Sequence, residues 1–498
     1  MTNQGSNLFG RRMLWGLAVL FLAPYLFALV LSQGRLALPD DFFNLLWRSW
    51  VQASLSGILA TVFGLFGAGF LLKVSNRRLS LWEGVALFPA VVPSGVIVLG
   101  MIDLLPNWRG LWAIAAAHTV ISAGFIAVVL ARLIRERMGA SLELAWVEGA
   151  TRWLLWRRGV LPRLVPELFR VFLTVFVSSL GSFSVPLLLG GSHAYTFEIA
   201  IHHAIRLQSA WDVAATLSIF QLLLLVAFLF LFQNLNSGQA PTPLRSGESI
   251  SRSGVARILG FWWGAPFLAA GAFVSLFSLV RDPYLGWRQL QSTGLFEHHD
   301  VMLVALQGSI ATAALSGCLT AALLLLAATG FPDARTRRWM NAYVAPSVAI
   351  TGFATLALGW GAAPSFNWDV LRISVGASLL FAPVIWRLRW AEEIGRLEGA
   401  VVVARTLGAD SSLIISRILL PRLFPTAFWS GGLVAFWMWG DYAIGSIVAS
   451  RNMTLGLLAK SLMESYRLEA AALVFLAVLL LGAFTYRLFT WGGSSVHR

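Results

Sequence analysis

Few residues in this chain are equipped for chemistry, and those that are stand far apart. Of its 498 residues, 12% are charged and 58% hydrophobic, against about 25% charged in an average soluble protein. No nucleophile lies in a pattern with a base, and no two carboxylates are placed as an acid–base pair; apolar runs separate them. Imidazoles and carboxylates do meet in two places. Glu198, His202 and His203 lie in HAYTFEIAIHHAI, and Glu297, His298, His299 and Asp300 lie together further on. Such ligands suit transition metals. Adjacent histidines on a helix diverge by about 100°, however, so a polar rim outweighs a metal site and no cofactor is implied. ATP chemistry is excluded more firmly. A phosphate-binding loop needs Gly-x-x-x-x-Gly-Lys-Ser/Thr. Lys73 is followed by Val74, and Lys460-Ser461 is preceded by Ala459. The chain is expected not to be an enzyme, and any ATP hydrolysis it uses belongs to another chain.

The remaining polar groups sit inside apolar runs, where ionisable residues are default functional candidates. Asp441, after Gly440 and before Tyr442, is the sharpest. It is either a residue of a substrate pathway or a hydrogen-bonding group between helices. His118, Gln307 and Ser309 read as packing-satisfied polar residues. Cys318, the single cysteine, excludes an intrachain disulfide and reads as a small buried packing residue.

A pattern that occurs twice, 259 residues apart, is more informative. ELAWVEGATRWLLWRRGVLPRLVP begins at Glu143, and VVARTLGADSSLIISRILLPRLFP begins at Val402. Gly149 matches Gly408, Leu161 matches Leu420, Pro162 matches Pro421, and Pro166 matches Pro425. The register continues into the next apolar segment, where Gly181-Ser182-Phe183 matches Gly440-Asp441-Tyr442. A repeat this long exceeds a solenoid unit; it implies two homologous halves fused in one chain.

The elements that carry these loops are apolar runs near the ~20 residues that span a bilayer. The expected fold is all-α, a polytopic membrane helix bundle with about twelve spans. They are 13–32, 50–72, 82–101, 110–131, 168–190 and 211–232 in a first half (1–233), then 257–280, 302–328, 340–360, 371–388, 427–449 and 469–488 in a second (257–498). Pro89 and Pro93 are expected to interrupt the third span and Pro346 the ninth. No cleavable signal is evident; Arg11-Arg12 and the run from Met13 read as a retained first span. Residues 234–256, rich in Ser, Gly, Pro and Arg, form a linker. The net charge of +14 does not indicate nucleic acid, because basic residues are segregated by loop. With both termini cytoplasmic, 27 of the 37 basic residues face inward, as the positive-inside rule requires. Six spans per half make the repeats parallel and put both repeated loops in the cytoplasm.

Each loop is expected to run as helix, glycine turn, helix and proline stop. In the second copy, Gly408 makes the turn, Ser411 and Ser412 cap the next helix, and Pro421 ends it. One outcome is an amphipathic helix resting on the membrane surface. The other, which better explains two copies at one register, is a pair of docking knobs for a two-fold cytoplasmic partner.

These residues resemble the EAA loop of permease subunits in bacterial ATP-binding-cassette importers, whose pattern is Glu-Ala-Ala, three residues, Gly, nine residues, Ile, one residue, Leu-Pro. The first copy supplies Glu143, Ala145, Gly149, Leu161 and Pro162, with Leu144 and Gly159 departing. The second supplies Ala404, Gly408, Ile418, Leu420 and Pro421, with Val402 in place of the glutamate. The resemblance implies a type I importer permease fold in the bacterial cytoplasmic membrane. It implies coupling helices at about 147–160 and 406–419 that fit a cytoplasmic ATPase dimer, with substrate delivered by a periplasmic or extracellular binding protein. Ser182, Asp441 and Tyr442 become candidates for the substrate pathway. The two-half layout and LLLGGSHAYTFEIAIHHAI are similar to the thiamine and ferric-iron branches, and the substrate expectation leans to thiamine or a thiamine phosphate, then ferric iron. The competing classes are an ion-coupled secondary transporter, which would need more intramembrane ionisable residues, and a membrane scaffold.

Overall fold

The computed structural model describes residues 30, 32–191, 196–236, 262–280, 282–293, 299–329, 351, 365–450 and 453–495. The first and ninth expected spans, with Pro346, and nearly all of the linker lie outside them, as do Glu297 and His298. Among the described residues there are helices and no strand. Seven of these helices are long and apolar enough to cross a membrane, or eight if one bent pair is a single span. The all-α membrane bundle is therefore what the sequence led us to expect.

In chain order the helices are α1 (Phe42–Lys73), α2 (Asn76–Val91), α3 (Ser94–Leu104), α4 (Leu111–Leu133), α5 (Gly139–Val147), α6 (Arg152–Leu154), α7 (Leu161–Leu180), α8 (Ser184–Leu189), α9 (Phe197–Arg206) and α10 (Trp211–Asn236). They continue as α11 (Ala265–Val280), α12 (Pro283–Ser292), α13 (His299–Thr329), α14 (Phe366–Ile385), α15 (Ala391–Thr406), α16 (Ser411–Ile414), α17 (Leu420–Trp439), α18 (Ala443–Val448), α19 (Leu455–Glu464) and α20 (Leu468–Ser495). The repeat is visible in these bounds. Adding 259 to α7 gives α17, and adding 259 to α8 gives α18, residue for residue.

Three expected spans are broken rather than continuous. The third bends by 91° between α2 and α3. Pro93 causes this, because a proline drives the preceding residue out of the helical region, and Val92 is extended at φ −67°, ψ 150°. Pro89 lies within α2 without ending it. The fifth and eleventh spans stop at Leu180 and Trp439 and restart as the six-residue helices α8 and α18.

Two compact units form. One contains Asp41–Phe197 and Leu225–Pro283, the other Glu198–Leu224 and Tyr284–Arg498 with the described residues before Asp41. The units thus interleave the two sequence halves. Packing explains it for α11, which follows the linker yet belongs with α1 to α4. Gly100 leaves no room for a side chain beneath the Val274 carbonyl, and Gly67 would put a Cβ 2.9 Å from Leu268. Small residues serve α1 in the same way. Gly57 and Gly64 let Phe172 and Ile126 approach the backbone, which is how membrane helices pack closely without a hydrophobic driving force.

The other unit holds α13 and α17 together at a glycine pair. A Cβ on Gly317 would stand 2.6 Å from the Gly431 carbonyl oxygen, and one on Gly431 would stand 2.8 Å from the Gly317 oxygen. Cys318 beside it is exposed, contrary to the buried packing role expected. In a lipid-facing helix an outward thiol costs little, so its small size is not a sign of burial. We predict that Gly431→Val destabilises the purified protein by about 1–3 kcal/mol, as overpacking does, and lowers its melting temperature in detergent. Gly395→Ala, where nothing lies within 4 Å, should leave the melting temperature unchanged or higher.

Candidate functional site: two repeated loops and two broken helices

Both loops are built the same way from their backbones. α5 and α15 end in a Schellman turn. Gly149 and Gly408 take positive φ, +89° and +85°, a conformation that glycine adopts without strain. The Ala150 amide donates to the Ala145 carbonyl at 3.0 Å, and the Ala409 amide donates to the Ala404 carbonyl at 2.9 Å. Two motif positions, the alanine and the glycine, are thereby the acceptor and the pivot of one turn. The first turn rests on a core, since Ala145 and Ala150 pack against buried residues including Leu142, Leu155 and Val160. In the second repeat Trp386 and Trp390, ahead of α15, are fully buried and stacked 6.2 Å apart. The Trp390 indole donates to Ser430 Oγ at 2.8 Å.

The next helix starts one residue earlier than expected. Asp410, not Ser411 or Ser412, is the N-cap, and its Oδ1 accepts from the Leu413 amide at 3.0 Å. Its repeat mate Thr151 does the same more weakly, with Oγ1 accepting from the Leu154 amide at 3.4 Å. The helical segments after the two turns accordingly run over 152–160 and 411–419.

Pro162 and Pro421 do not stop these helices. Each stands in the first turn of a long helix, α7 or α17. A π-helical turn, Leu155–Val160 or Ile415–Leu419, precedes it. Proline has no N–H and its ring crowds the carbonyl four residues back, but the first turn of a helix needs no such donor. The proline therefore leaves the helix unbroken, and residues 411–439 run on as one helix through the widened turn.

The motif side chains stand as follows. Leu161, Pro162 and Pro421 are exposed; Ala145, Ala404, Gly159, Ile418 and Leu420 are half-buried. Glu143 lies in α5, with its side chain outside what is described. Apolar side chains protrude from both loops, with Leu154 and Leu413 at 41% and 49% exposure and Val147 and Leu407 above 80%.

At the far end of α7 and α17 lie the breaks. Gly181 and Gly440 close each helix, and Phe183 and Tyr442 behind them are fully buried. Asp441 is not inside the span but in the break. Its Oδ2 accepts from the Ile444 amide at 3.2 Å, so it holds the N-terminus of α18. Ser182, its mate, is half-buried. The following Ser184 takes up contact instead, with its Oγ 3.0 Å from Ser94 Oγ. Each short helix is also held at its C-terminus by arginine. Arg109 donates to the Leu188 carbonyl at 3.2 Å, and Arg206 donates to the Ala449 carbonyl at 2.9 Å. A cation at a helix C-terminus also opposes its dipole favourably. The chain after α18 is tied down by Asp369, whose Oδ2 accepts from the amide and hydroxyl of Ser450 at 3.0 and 2.6 Å.

Of the other sequence candidates, Ser309 Oγ accepts from the Leu455 amide at 2.8 Å, as a packing-satisfied residue should; His118 is buried within α4 with no partner for its Nε2 among the described residues, and Gln307 is exposed, so neither of these shows that role. Glu198 is fully buried and accepts from Gln221 Nε2 at 2.6 Å. Among the described residues no three His, Cys, Asp or Glu side chains form a metal-holding group. Sequence reasoning missed Arg109, Arg206 and Asp369, because their partners are backbone groups that no side-chain pattern reveals.

Relatives place these features. The chain is 23% identical over 504 residues to the "Probable ABC transporter permease protein y4fN" of Sinorhizobium fredii, covering 88% of this chain and 87% of that one. The chain is a relative of ABC transporter permeases. It is also 26% identical over 195 residues to the ferric transport system permease protein FbpB of Actinobacillus pleuropneumoniae, covering 34% of this chain and 28% of that one. With the sulfate transport system permease protein CysT of Escherichia coli it shares 27% identity over 198 residues, 36% of this chain and 71% of the relative. No family model matches the chain, and no solved structure does. With the apolar helices, these relatives make it a multi-pass membrane protein.

We predict that Asp441→Ala destabilises α18 by about 1 kcal/mol, the usual value of an N-terminal cap, while Asp441→Asn, which keeps an acceptor oxygen, does so less. Hydrogen exchange at the amides of 443–448 would register the difference. Equal exchange in both variants would mean that the carboxylate does not hold this helix.

Proposed function

We propose that this chain is the permease subunit of an ABC importer in the bacterial cytoplasmic membrane. Two six-span halves, 1–233 and 257–498, are joined by the linker 234–256, and both termini are cytoplasmic. The segments 152–160 and 411–419 dock on two ATPase subunits, and a binding protein delivers substrate from the other side. The supporting observation is the loop geometry: one Schellman glycine, one N-cap and one π-turn before proline recur in both repeats at the same register. A helix merely resting on lipid needs none of these in duplicate. The relatives' names favour the same function and bear on the substrate. They are ferric and sulfate transport systems, and none names thiamine. Ferric iron and sulfate accordingly move ahead of thiamine.

Nucleotide drives such a machine by binding one arrangement of a bistable element better than another. The coupling segments suit that role, because each continues into a membrane helix, so a displacement at the loop reaches the break at Gly181 or Gly440.

Leu154 and Leu413 test docking with little risk to the fold, since both are substantially exposed. We predict that Leu154→Glu combined with Leu413→Glu abolishes co-purification of the ATPase while the yield and melting temperature of the permease are retained. Retention of the ATPase at wild-type stoichiometry would exclude these faces as the docking surface.

A further inference from the structure

The compact unit of Asp41–Phe197 and Leu225–Pro283 carries a cationic rim beside an apolar cavity, and neither takes part in the repeated loops or the breaks. α1 ends at Lys73 and α2 begins at Asn76, so Lys73, Arg77 and Arg78 stand at one end of this unit. All three are exposed. Lys73 Nζ lies 5.2 Å over the Trp262 ring, a contact that holds the ammonium in place and leaves its N–H groups to a ligand. Among the described residues, neither the Arg77 nor the Arg78 guanidinium has a partner. Glu83, the acid of α2, is taken by Arg132 at 2.9 Å. Phe70 stands 5.8 Å from Trp262 and meets Trp82 edge-on at 4.7 Å. These contacts bring the end of α1, the start of α2 and the turn before α11 to one place. Cations among tryptophans at helix ends are the composition of a membrane interface.

Deeper along the same helices, α1, α2, α4 and α11 bound a cavity of about 230 Å³, lined by Leu59, Phe63, Pro89, Val120, Phe267 and Gly271 among others. Thr119 brings the one hydroxyl of the lining, and it donates to the Ala115 carbonyl of its own helix at 2.7 Å. The cavity offers a ligand no free hydrogen-bonding side chain, so it suits hydrocarbon. A dry cavity of roughly 150 Å³ already takes benzene; this one takes a stretch of acyl chain. The spacing from the rim fits as well. Phe63 precedes Lys73 by ten residues on α1, and Pro89 follows Arg78 by eleven on α2. At 1.5 Å per residue each is about 15 Å, the hydrocarbon depth of one leaflet.

We propose that this unit binds an anionic phospholipid, with its phosphate on Lys73, Arg77 and Arg78 beside Trp262 and one acyl chain in the cavity. Ammonium and guanidinium groups give phosphate charge-assisted hydrogen bonds, and basic groups at the ends of membrane helices attract anionic headgroups. A zwitterionic lipid with the same chains fills the cavity equally but gains less at the rim. The rim also shares a core with the first repeated loop, since Leu71, Leu72 and Val74 pack in one cluster with Leu142, Leu155 and Val160. The site needs only that the chain spans a membrane, and it is independent of ATPase docking.

The test is native mass spectrometry of the purified full chain, equilibrated in detergent with equimolar phosphatidylglycerol and phosphatidylcholine of identical acyl chains. The wild type should carry phosphatidylglycerol in about tenfold or greater excess over phosphatidylcholine, and excess soluble glycerol phosphate should not displace it. Lys73→Gln combined with Arg77→Gln and Arg78→Gln should remove that preference, while Lys73→Arg alone should keep it. Gly271→Leu, whose Cβ stands at an ordinary 3.4 Å from Pro89, fills the cavity and should lower phosphatidylglycerol occupancy about tenfold at an unchanged melting temperature. Equal occupancy by the two lipids in the wild type, no retained lipid, or displacement by glycerol phosphate would overturn the site. Unchanged occupancy in the triple variant or in Gly271→Leu would do the same. The wild-type comparison decides even if a variant misfolds. ATPase plays no part in the readout, so the lipid site and the importer function fail separately.

Discussion

A chain can leave the helix inside a membrane only where other groups take over its backbone hydrogen bonds. That constraint governs the breaks at Gly181 and Gly440. α7 and α17 end there, α8 and α18 begin two residues on, and their ends need partners that lipid does not offer. The second repeat uses charge at both ends, with Asp441 on the first amides and Arg206 on the last carbonyl. In the first repeat Arg109 takes the Leu188 carbonyl at one end of α8, while at the other end the Ser184 and Ser94 hydroxyls bond each other and leave the backbone amides to the chain itself. The helix bounds agree residue for residue, although the residues that hold them differ. Geometry is thus kept where side-chain identity is not.

The loop ends of α7 and α17 obey the same rule. Positive φ at Gly149 and Gly408 lets each preceding helix satisfy its last carbonyls locally, and a side-chain oxygen at the next element supplies its N-cap. Proline then falls where its missing N–H is harmless. From loop to break, each repeat is one path of short helices, a π turn and a long helix, with few backbone groups left to water or lipid.

Much of this was legible in the sequence. Apolar run length located eight of the twelve expected spans among the described residues, counting the bent pair as one, and the 259-residue register located the glycine turns, because glycine at a positive-φ position has no ready substitute. Three things were not legible. Proline's local chemistry is ambiguous: Pro421 reads as a stop, yet the helix runs through it because a π turn precedes it. Ser411 and Ser412 have the right composition for a cap, yet Asp410 lies where the chain is extended. The partnership of α11 with α1 to α4 arises from backbone approaches at Gly67 and Gly100, which carry no sequence periodicity. Asp441 reads as a pathway residue or a hydrogen-bonding group between helices; its contact with the Ile444 amide is neither, because the break that creates it has no signature in the apolar run.

The proposed docking role gives two equivalent loops in one chain two equivalent partners. The most direct measurement is the stoichiometry of the complex, by native mass spectrometry of the full-length permease extracted with its ATPase. The account predicts two ATPase subunits for each permease chain. A single bound subunit would mean that only one loop docks, and none would contradict the docking role of the repeat altogether.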